Sequence, residues 1–387
     1  MNLPDYIENL INETNKVFEV SPQSCELPFD GLFSVIVPFR NREKTLEDTL
    51  HSILHQAYRP IELILVDNGS EDNSYAIAKN FKETWGITRY TPSFVHAREE
   101  RQIGPLSIKL LTEPQEGASR ARNTGLAAAQ GKYVYFFDSD DSMSPEFLAD
   151  AAARLEADDG DKIQCLTCYT TICLPKGRKR VRRYASHFTP EAQILTGQLS
   201  TQSMLLRADF LRSIGGWNSE LPVWNDWELG LRVLLNTTPE QIVLLRHKPY
   251  HKIFYHSDSI TAHYNTPEQV DQLWKALRAA QKLLEEKEAK IGHPLSPSKL
   301  LELPYDREYV QQLKAGTQKH HLQRIRYALF LRALITATRL KVANSSGLLL
   351  PSTASPSLRR VALICHTLTR LHVPGVNRLA LLLIRYL

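Results

Sequence analysis

The sequence predicts a doubly wound α/β domain followed by a helical extension, and three observations carry that prediction. Four short apolar runs, at 33–39, 61–70, 106–113 and 132–138, have strand length and end in polar or turn-forming residues. Strands apolar on both sides suit a sheet covered on both faces, which is usually parallel. Helical patterns at about 42–57, 71–84 and 117–129 alternate with the strands, giving βαβαβαβ. The polar residues gather after strands one, two and four. Right-handed crossovers place those ends on one edge of the sheet, where ligands of such folds bind.

Residues 1–30 read as a short helix and a Pro-containing linker. FSVIVPF (33–39) is strand one and leads into Arg40-Asn41-Arg42. IELILVDNGS (61–70) is strand two, closed by Asn68-Gly69. LSIKLLTE (106–113) is strand three, and KYVYFFD (132–138) is strand four, leading into Asp138-Ser139-Asp140-Asp141. SPEFLADAAARLEA (144–157) reads as a helix with Ser144 as N-cap and Pro145 at its first position. KIQCLTCYTTICL (162–174) alternates like a strand, and LPKGRKRVRR after it reads as a solvated basic turn. WNDWELGLRVLL (224–235) is helical, HKIFYHSDSIT (251–261) is strand then loop, and from about 267 the pattern is almost wholly helical. SSGLLLPSTASPS (345–357) reads as a linker. The expected division is 1–30, a catalytic-size domain over 31–265, and a basic extension over 266–387.

Composition is that of a protein with a proper core, at 43% apolar and 23% charged residues in a chain of 387. Five cysteines over this length do not form a disulfide framework. The opening MNLPDYIENLINETNK lacks the basic and apolar regions of a signal peptide, so a cytoplasmic location is expected. Arginines break the longest apolar stretches before they reach membrane-spanning length. From Tyr309 to Leu387 there is no acidic residue and there are twelve Lys and Arg, so the overall charge of +5 leaves −7 on the first 308 residues. Arg324, Arg332 and Arg339 recur on one helical face, away from Leu329, Ala333 and Ile335. That pattern fits a basic amphipathic helix, lying on an anionic membrane or packed on protein. No nucleic-acid motif accompanies the basic residues, so no nucleic-acid partner is expected.

Asp138, Asp140 and Asp141 repel one another unless something intervenes. An Asp-x-Asp at a strand end offers hard oxygens to Mg²⁺ or Mn²⁺. A calcium loop is excluded, since the sixth position is Met143 and the twelfth is Ala149. Cys165 and Cys168 point to opposite sides of a strand, which argues against zinc.

Taken in order, FSVIVPFRNREKTLEDTLHSILHQ, IELILVDNGSEDNS, EGASRARNTGLAAAQGKYVYFFDSDD and IGGWNSELPVWNDWELGLRVLL resemble the successive motifs of an inverting, family 2 type glycosyltransferase of the GT-A fold. The resemblance implies a doubly wound mixed sheet with a helical C-terminal extension. It also implies a UDP-sugar donor, a saccharide or glycolipid acceptor in cell-surface glycan synthesis, and Mn²⁺ or Mg²⁺ as cofactor. Asp67 matches the aspartate that binds uracil, and Pro38, Phe39 and Arg40 match the strand end around the nucleoside. Arg120 and Arg122 fall where the chain approaches the diphosphate. Asp138 and Asp140 match the metal-binding DxD, and Asp138 and Ser139 fall among the nucleotide-sugar contacts. Asp226 matches the catalytic base, with Glu228 as the alternative in a shifted register. Trp224 stands beside the acceptor, and His256 lies near a third metal or diphosphate contact of some relatives. Asn68 and Asn225 stand where the family often has acids. These departures sustain the alternative of a catalytically silent nucleotide-sugar-binding scaffold. A nucleotidyltransferase is disfavoured because strand one lacks a Gly-rich, Lys-containing phosphate loop.

Overall fold

The computed structural model describes residues 31–86, 106–157, 162–182, 188–255, 267–291, 307–340 and 356–384. The predictions for 1–30, for His256 and for most of the 345–357 linker fall outside them. Strands β1 (Phe33–Phe39), β2 (Ile61–Asp67), β3 (Leu106–Thr112) and β4 (Tyr133–Phe136) stand where the apolar runs place them, and are mutually parallel. Helices α1 (Leu46–Leu54), α2 (Ser74–Trp85) and α3 (Ala118–Ala128) alternate with them.

The near-continuous apolarity of these strands has a simple cause. Successive side chains point to opposite faces, and both faces are covered. Phe33, Val35, Val37 and Phe39 of β1 enter one core while Ile36 enters another; Tyr133 and Tyr135 of β4 part from Val134 and Phe136 in the same way. Ser34 and Glu62 interrupt the first two runs at the end of the sheet away from the candidate site. Glu62 is buried, yet it accepts bonds from the Gln130 N–H and Ser34 Oγ and pairs with Lys109. Burial alone would raise its pKa, but these partners bring it below the ordinary value.

Beyond β4 the sheet becomes mixed. The strand order is β3-β2-β1-β4-β8-β6-β9-β5, where β5 is Ser142–Met143, β6 Cys165–Cys173, β8 Leu205–Arg207 and β9 Ile242–Phe254. The basic segment read as a turn is a fifth addition: β7 (Lys179–Arg182) pairs antiparallel with β6, so the solvated turn is only its 3₁₀ lead-in at Pro175–Gly177. Strand β9 begins nine residues earlier than the 251 start that the pattern predicts, because Arg246, His247, Lys248 and Pro249 interrupt its apolar alternation at an irregularity in the β6 pairing. Helix α4 (Phe147–Glu156) starts later than a Ser144 cap would set it; the Ser144 hydroxyl donates instead to Glu146 Oε2 at 2.6 Å. Cys165 and Cys168 lie in the cores on opposite faces of the sheet, and burial pushes the Cys165 thiol up to about 12. They are structural thiols.

Helices α5 (Pro190–Thr196), α6 (Ala208–Ser213) and α7 (Asn225–Leu235) complete the domain. The extension is α8 (Pro267–Ile291), α9 (Arg307–Leu340), α10 (Pro356–Arg370) and α11 (Val376–Leu383). A third core joins the two parts: Ile325, Leu329, Leu331 and Ile335 of α9 pack with Ile194 and Leu195 of α5, Trp227 and Leu231 of α7, and Trp274 and Leu277 of α8. The apolar face of α9 is therefore spent on protein, which decides between the two readings of that helix. Among the described residues no helix is long and apolar enough to cross a membrane.

Candidate active site

The C-terminal ends of β1, β2 and β4 meet the N-termini of α3 and α7. The first two ends are lashed together by short polar residues. Asn41, at a positive φ of 52°, accepts from the Glu71 N–H through Oδ1 (2.8 Å) and donates its own N–H to Ser70 Oγ (3.2 Å). The Arg42 N–H donates to Ser74 Oγ, and the Phe39 carbonyl accepts from the Asn68 N–H. Pro38 and Phe39 are buried, and the Phe39 ring belongs to the core. Arg40 is half-exposed and pairs with Glu116.

Asp67 is buried, and its carboxylate accepts from the Ser70 N–H at 3.2 Å. Asn68 beside it is a connector. Its Nδ2 donates to the Glu113 and Gln115 carbonyls (2.9 and 2.8 Å), and its Oδ1 accepts from the Gly117 N–H (2.8 Å) at the start of α3. An aspartate here would set a carboxylate against two carbonyls. Asn68→Asp should therefore lower stability by about 2–3 kcal/mol, read as a shift of the chemical-denaturation midpoint; an unchanged midpoint would show that the amide is dispensable.

Helix α3 carries Arg120 and Arg122, which the structure separates. Arg120 is half-exposed and engages Gln115 Oε1 (2.6 Å) and Glu220 (3.7 Å). Arg122 is buried, stacks 4.4 Å over the Trp217 ring, and donates Nη2 to Asp138 Oδ1 at 2.8 Å. Its Nε and Nη1 are buried with no protein partner. Trp217 is held opposite by reciprocal bonds with Asn123. That approach requires Gly216, at φ 64°, where a Cβ would stand 2.8 Å from Asn123 Oδ1.

The three acids differ in circumstance. Asp138 has both oxygens engaged by protein, Oδ2 accepting from Gln202 Nε2 at 2.5 Å, and each keeps a lone pair for a further partner. Ser139 is buried, and its carbonyl accepts from Thr45 Oγ1. Asp140 is part-exposed, 3.5 Å from Arg42. Asp141 is buried and accepts from Gln202 Nε2 (2.6 Å) and the Phe254 N–H (3.0 Å), which ties this loop to β9. Burial first, then Asp138 and Asp140, push Asp141 up to about 8. Among the described residues no three ligating side chains form a cage for a metal ion. The hard oxygens of Asp138 and Asp140, beside a third carboxyl whose ionisation is disfavoured by burial and by these two acids, fit a divalent cation completed by a ligand's phosphates.

Helix α7 supplies the fourth acid. Asp226 sits in its first turn, its Oδ1 accepting from the Trp227 N–H at 2.8 Å. Burial raises its pKa, the charges of Arg182 and Arg122 oppose that rise, and Asp138 adds to it. Asn225 is a second connector: Nδ2 donates to Ser119 Oγ on α3 (3.1 Å) and Oδ1 accepts from the Asp226 N–H (2.8 Å). The Glu228 carboxylate is buried in a two-pronged pair with Arg232 (2.8 and 2.9 Å), whose Nη1 donates to the Ile214 carbonyl beside the Gly215-Gly216 turn. Trp227 is a core residue, with Nε1 donating to the Ile194 carbonyl. Trp224 is half-buried at a φ of 55°, with Arg332 of α9 stacked 4.6 Å over its ring.

Four participants carry no local sequence signal. Gln202 bridges Asp138 and Asp141 from a 3₁₀ turn at Thr201–Ser203. The Tyr135 hydroxyl, which donates to the Gln202 carbonyl, also bonds the buried His251 at 2.7 Å. Burial drives that imidazole down to about 3, so it is neutral. Arg182 reaches the site from the basic segment. All four act through pairings of residues far apart in sequence, which local pattern does not reveal.

Known proteins match this arrangement. Residues 34–208 match the model for glycosyl transferase family 2. An uncharacterized glycosyltransferase of Escherichia coli (strain K12) is 33% identical over 132 residues, 34% of this chain and 33% of that protein. A PGL/p-HBAD biosynthesis glycosyltransferase of Mycobacterium bovis (strain BCG / Pasteur 1173P2) is 27% identical over 205 residues, 53% of this chain and 70% of that protein. The first-named likeness thus spans about a third of its relative's length. The crystal structure of S. aureus TarS 1-349 in complex with UDP-GlcNAc shares the fold, with a TM-score of 0.51 and 22% identity over 82% of this chain and 90% of that one. Strand order, strand-end acids and family match agree: residues 34–208 are a glycosyl transferase family 2 domain, and the fold is GT-A.

Proposed function

We propose that the chain is an inverting glycosyltransferase that moves a sugar from a UDP-sugar to a hydroxyl of a saccharide or glycolipid acceptor, in building a cell-surface glycan. The observation that carries this reading is that Asp226, in the first turn of α7, lies within electrostatic reach of Arg122 and Asp138, which are bonded to each other. Asp67 hydrogen-bonds the base at the end of β2, beside Pro38, Phe39 and Arg40. Arg122, bonded to Asp138 and with Nε and Nη1 lacking a protein partner, supplies the guanidinium charge that suits phosphate oxygens. Asp140, with Asp138 behind it, would hold Mn²⁺ or Mg²⁺, which supplies charge neutralisation for the departing diphosphate. Asp226 takes the acceptor hydroxyl's proton as that oxygen bonds C1 of the sugar and the C1–O bond to UDP breaks. Attack from the far side inverts the anomeric centre. Asn68 and Asn225 give the silent-scaffold reading no support, because both amides are occupied in joining α3 to its neighbours.

A base with a raised pKa loses activity on acidification at higher pH than an ordinary aspartate does. Arg182 lowers that pKa, so Arg182→Gln should move the acid limb of the kcat profile upward while the protein stays folded. An unmoved limb would detach Arg182 from the base. The reaction itself is tested by UDP release and product mass over a panel of UDP-sugars and simple glycoside acceptors with Mn²⁺ or Mg²⁺. Donor binding without turnover for every pair would return the scaffold reading.

A further inference from the structure

The last helical hairpin presents a surface that the catalytic reading leaves unused. Of the nine large apolar residues exposed among the described residues, five lie here: Leu363, Ile364, Leu371, Val373 and Leu382. Helix α10 buries Leu358, Val361, Ala362 and Cys365 against the third core and turns Arg360, Leu363, Ile364, Thr367 and Leu371 outward. These recur at helical spacing, so they form one outward stripe. It runs into the turn 371–375, every residue of which is exposed, with Leu371 at 68% and Val373 at 39%. Arg370 and Arg378 flank that turn and are exposed, and no acid occurs between Tyr309 and Leu387.

We infer that this hairpin, α10 with the 371–375 turn and the outer face of α11, docks the protein on an anionic phospholipid surface. Two features choose lipid over a protein partner. The apolar side chains project from a turn with a basic collar, a shape that enters the headgroup boundary. The first 308 residues carry −7, so an anionic surface repels the body and attracts the hairpin, which fixes the orientation. Helix α9 is not the anchor, because its apolar face is already covered.

The inference does not depend on the transfer chemistry, and its test reads no activity. The full chain is floated with vesicles of phosphatidylglycerol and phosphatidylcholine, and with phosphatidylcholine alone. Binding is expected to the anionic vesicles only, and to weaken as salt rises. Arg370→Gln and Arg378→Gln should each weaken it about fivefold. Leu371→Asp and Leu382→Asp should abolish it with the thermal midpoint unchanged, since both side chains are exposed. Absence of flotation on anionic vesicles would overturn the inference, as would full binding by the Leu371→Asp and Leu382→Asp variants together. A concentration-dependent dimer that these same variants dissolve would assign the surface to a second copy of the chain instead.

Discussion

Replacing Asp226 by Asn should cut transfer by orders of magnitude and leave donor binding intact. Asn is nearly isosteric, and its Oδ1 still accepts from the Trp227 N–H that Asp226 now engages at 2.8 Å. The α7 mouth therefore keeps its shape, and what disappears is a group able to take a proton. General-base catalysis contributes about 10²–10⁴-fold, so kcat should fall by that factor while the Kd for the UDP-sugar, measured by calorimetry, stays within about twofold. Glu228 offers no substitute. It is buried and held by two bonds from Arg232, and freeing it would leave that guanidinium unpaired. If Asp226→Asn turned over at near wild-type rate, the base would have to be sought elsewhere. A parallel loss of donor binding would instead mean that the substitution had disturbed the donor pocket.

Removing residues 305–387 should collapse the domain rather than merely detach it from a partner. The deletion strips Ile325, Leu329, Leu331 and Ile335 of α9 from Ile194, Leu195, Trp227 and Leu231. Each fully buried Leu or Ile contributes about 1.5–3 kcal/mol, so the loss approaches the whole stability of an ordinary domain, about 5–15 kcal/mol. The α7 helix that carries Asp226 is among the elements uncovered. Insoluble expression, or soluble protein without a cooperative thermal transition, is the expected result. A monomeric truncation that melts cooperatively and binds donor as tightly as the full chain would refute it. Arg332→Ala probes the same contact more gently. It removes a stack on Trp224 worth about 0.5–2 kcal/mol and a bond to the Leu195 carbonyl, and should raise the acceptor KM more than the donor KM.

The first half of the fold was legible because its strands are buried on both faces and so read as continuous apolar runs. The parts that were misread share one trait, which is that their pattern is set by partners distant in sequence. Strand β9 hides behind Arg246 to Pro249, and β7 looks like a basic turn until β6 pairs with it. The candidate site shows the same split. Asp67, Asp138, Asp140 and Asp226 stand out by residue type at strand and helix ends. Gln202 and Arg182 have no such signal, and their importance appears only when the chain folds back.

The sequence by itself determined which residue types stand at the sheet's ligand edge, and hence the class of chemistry open to it. The tertiary structure decided how those residues divide the work. It left Asp140 part-exposed while Arg122 and Gln202 each engage one oxygen of Asp138. It made Asn68 and Asn225 connectors rather than missing acids, and it turned the apolar face of α9 inward, leaving the α10–α11 hairpin as the outward basic surface. The physical reason is that residue type and periodicity are local, whereas burial and hydrogen-bond satisfaction depend on which distant groups arrive at the same place.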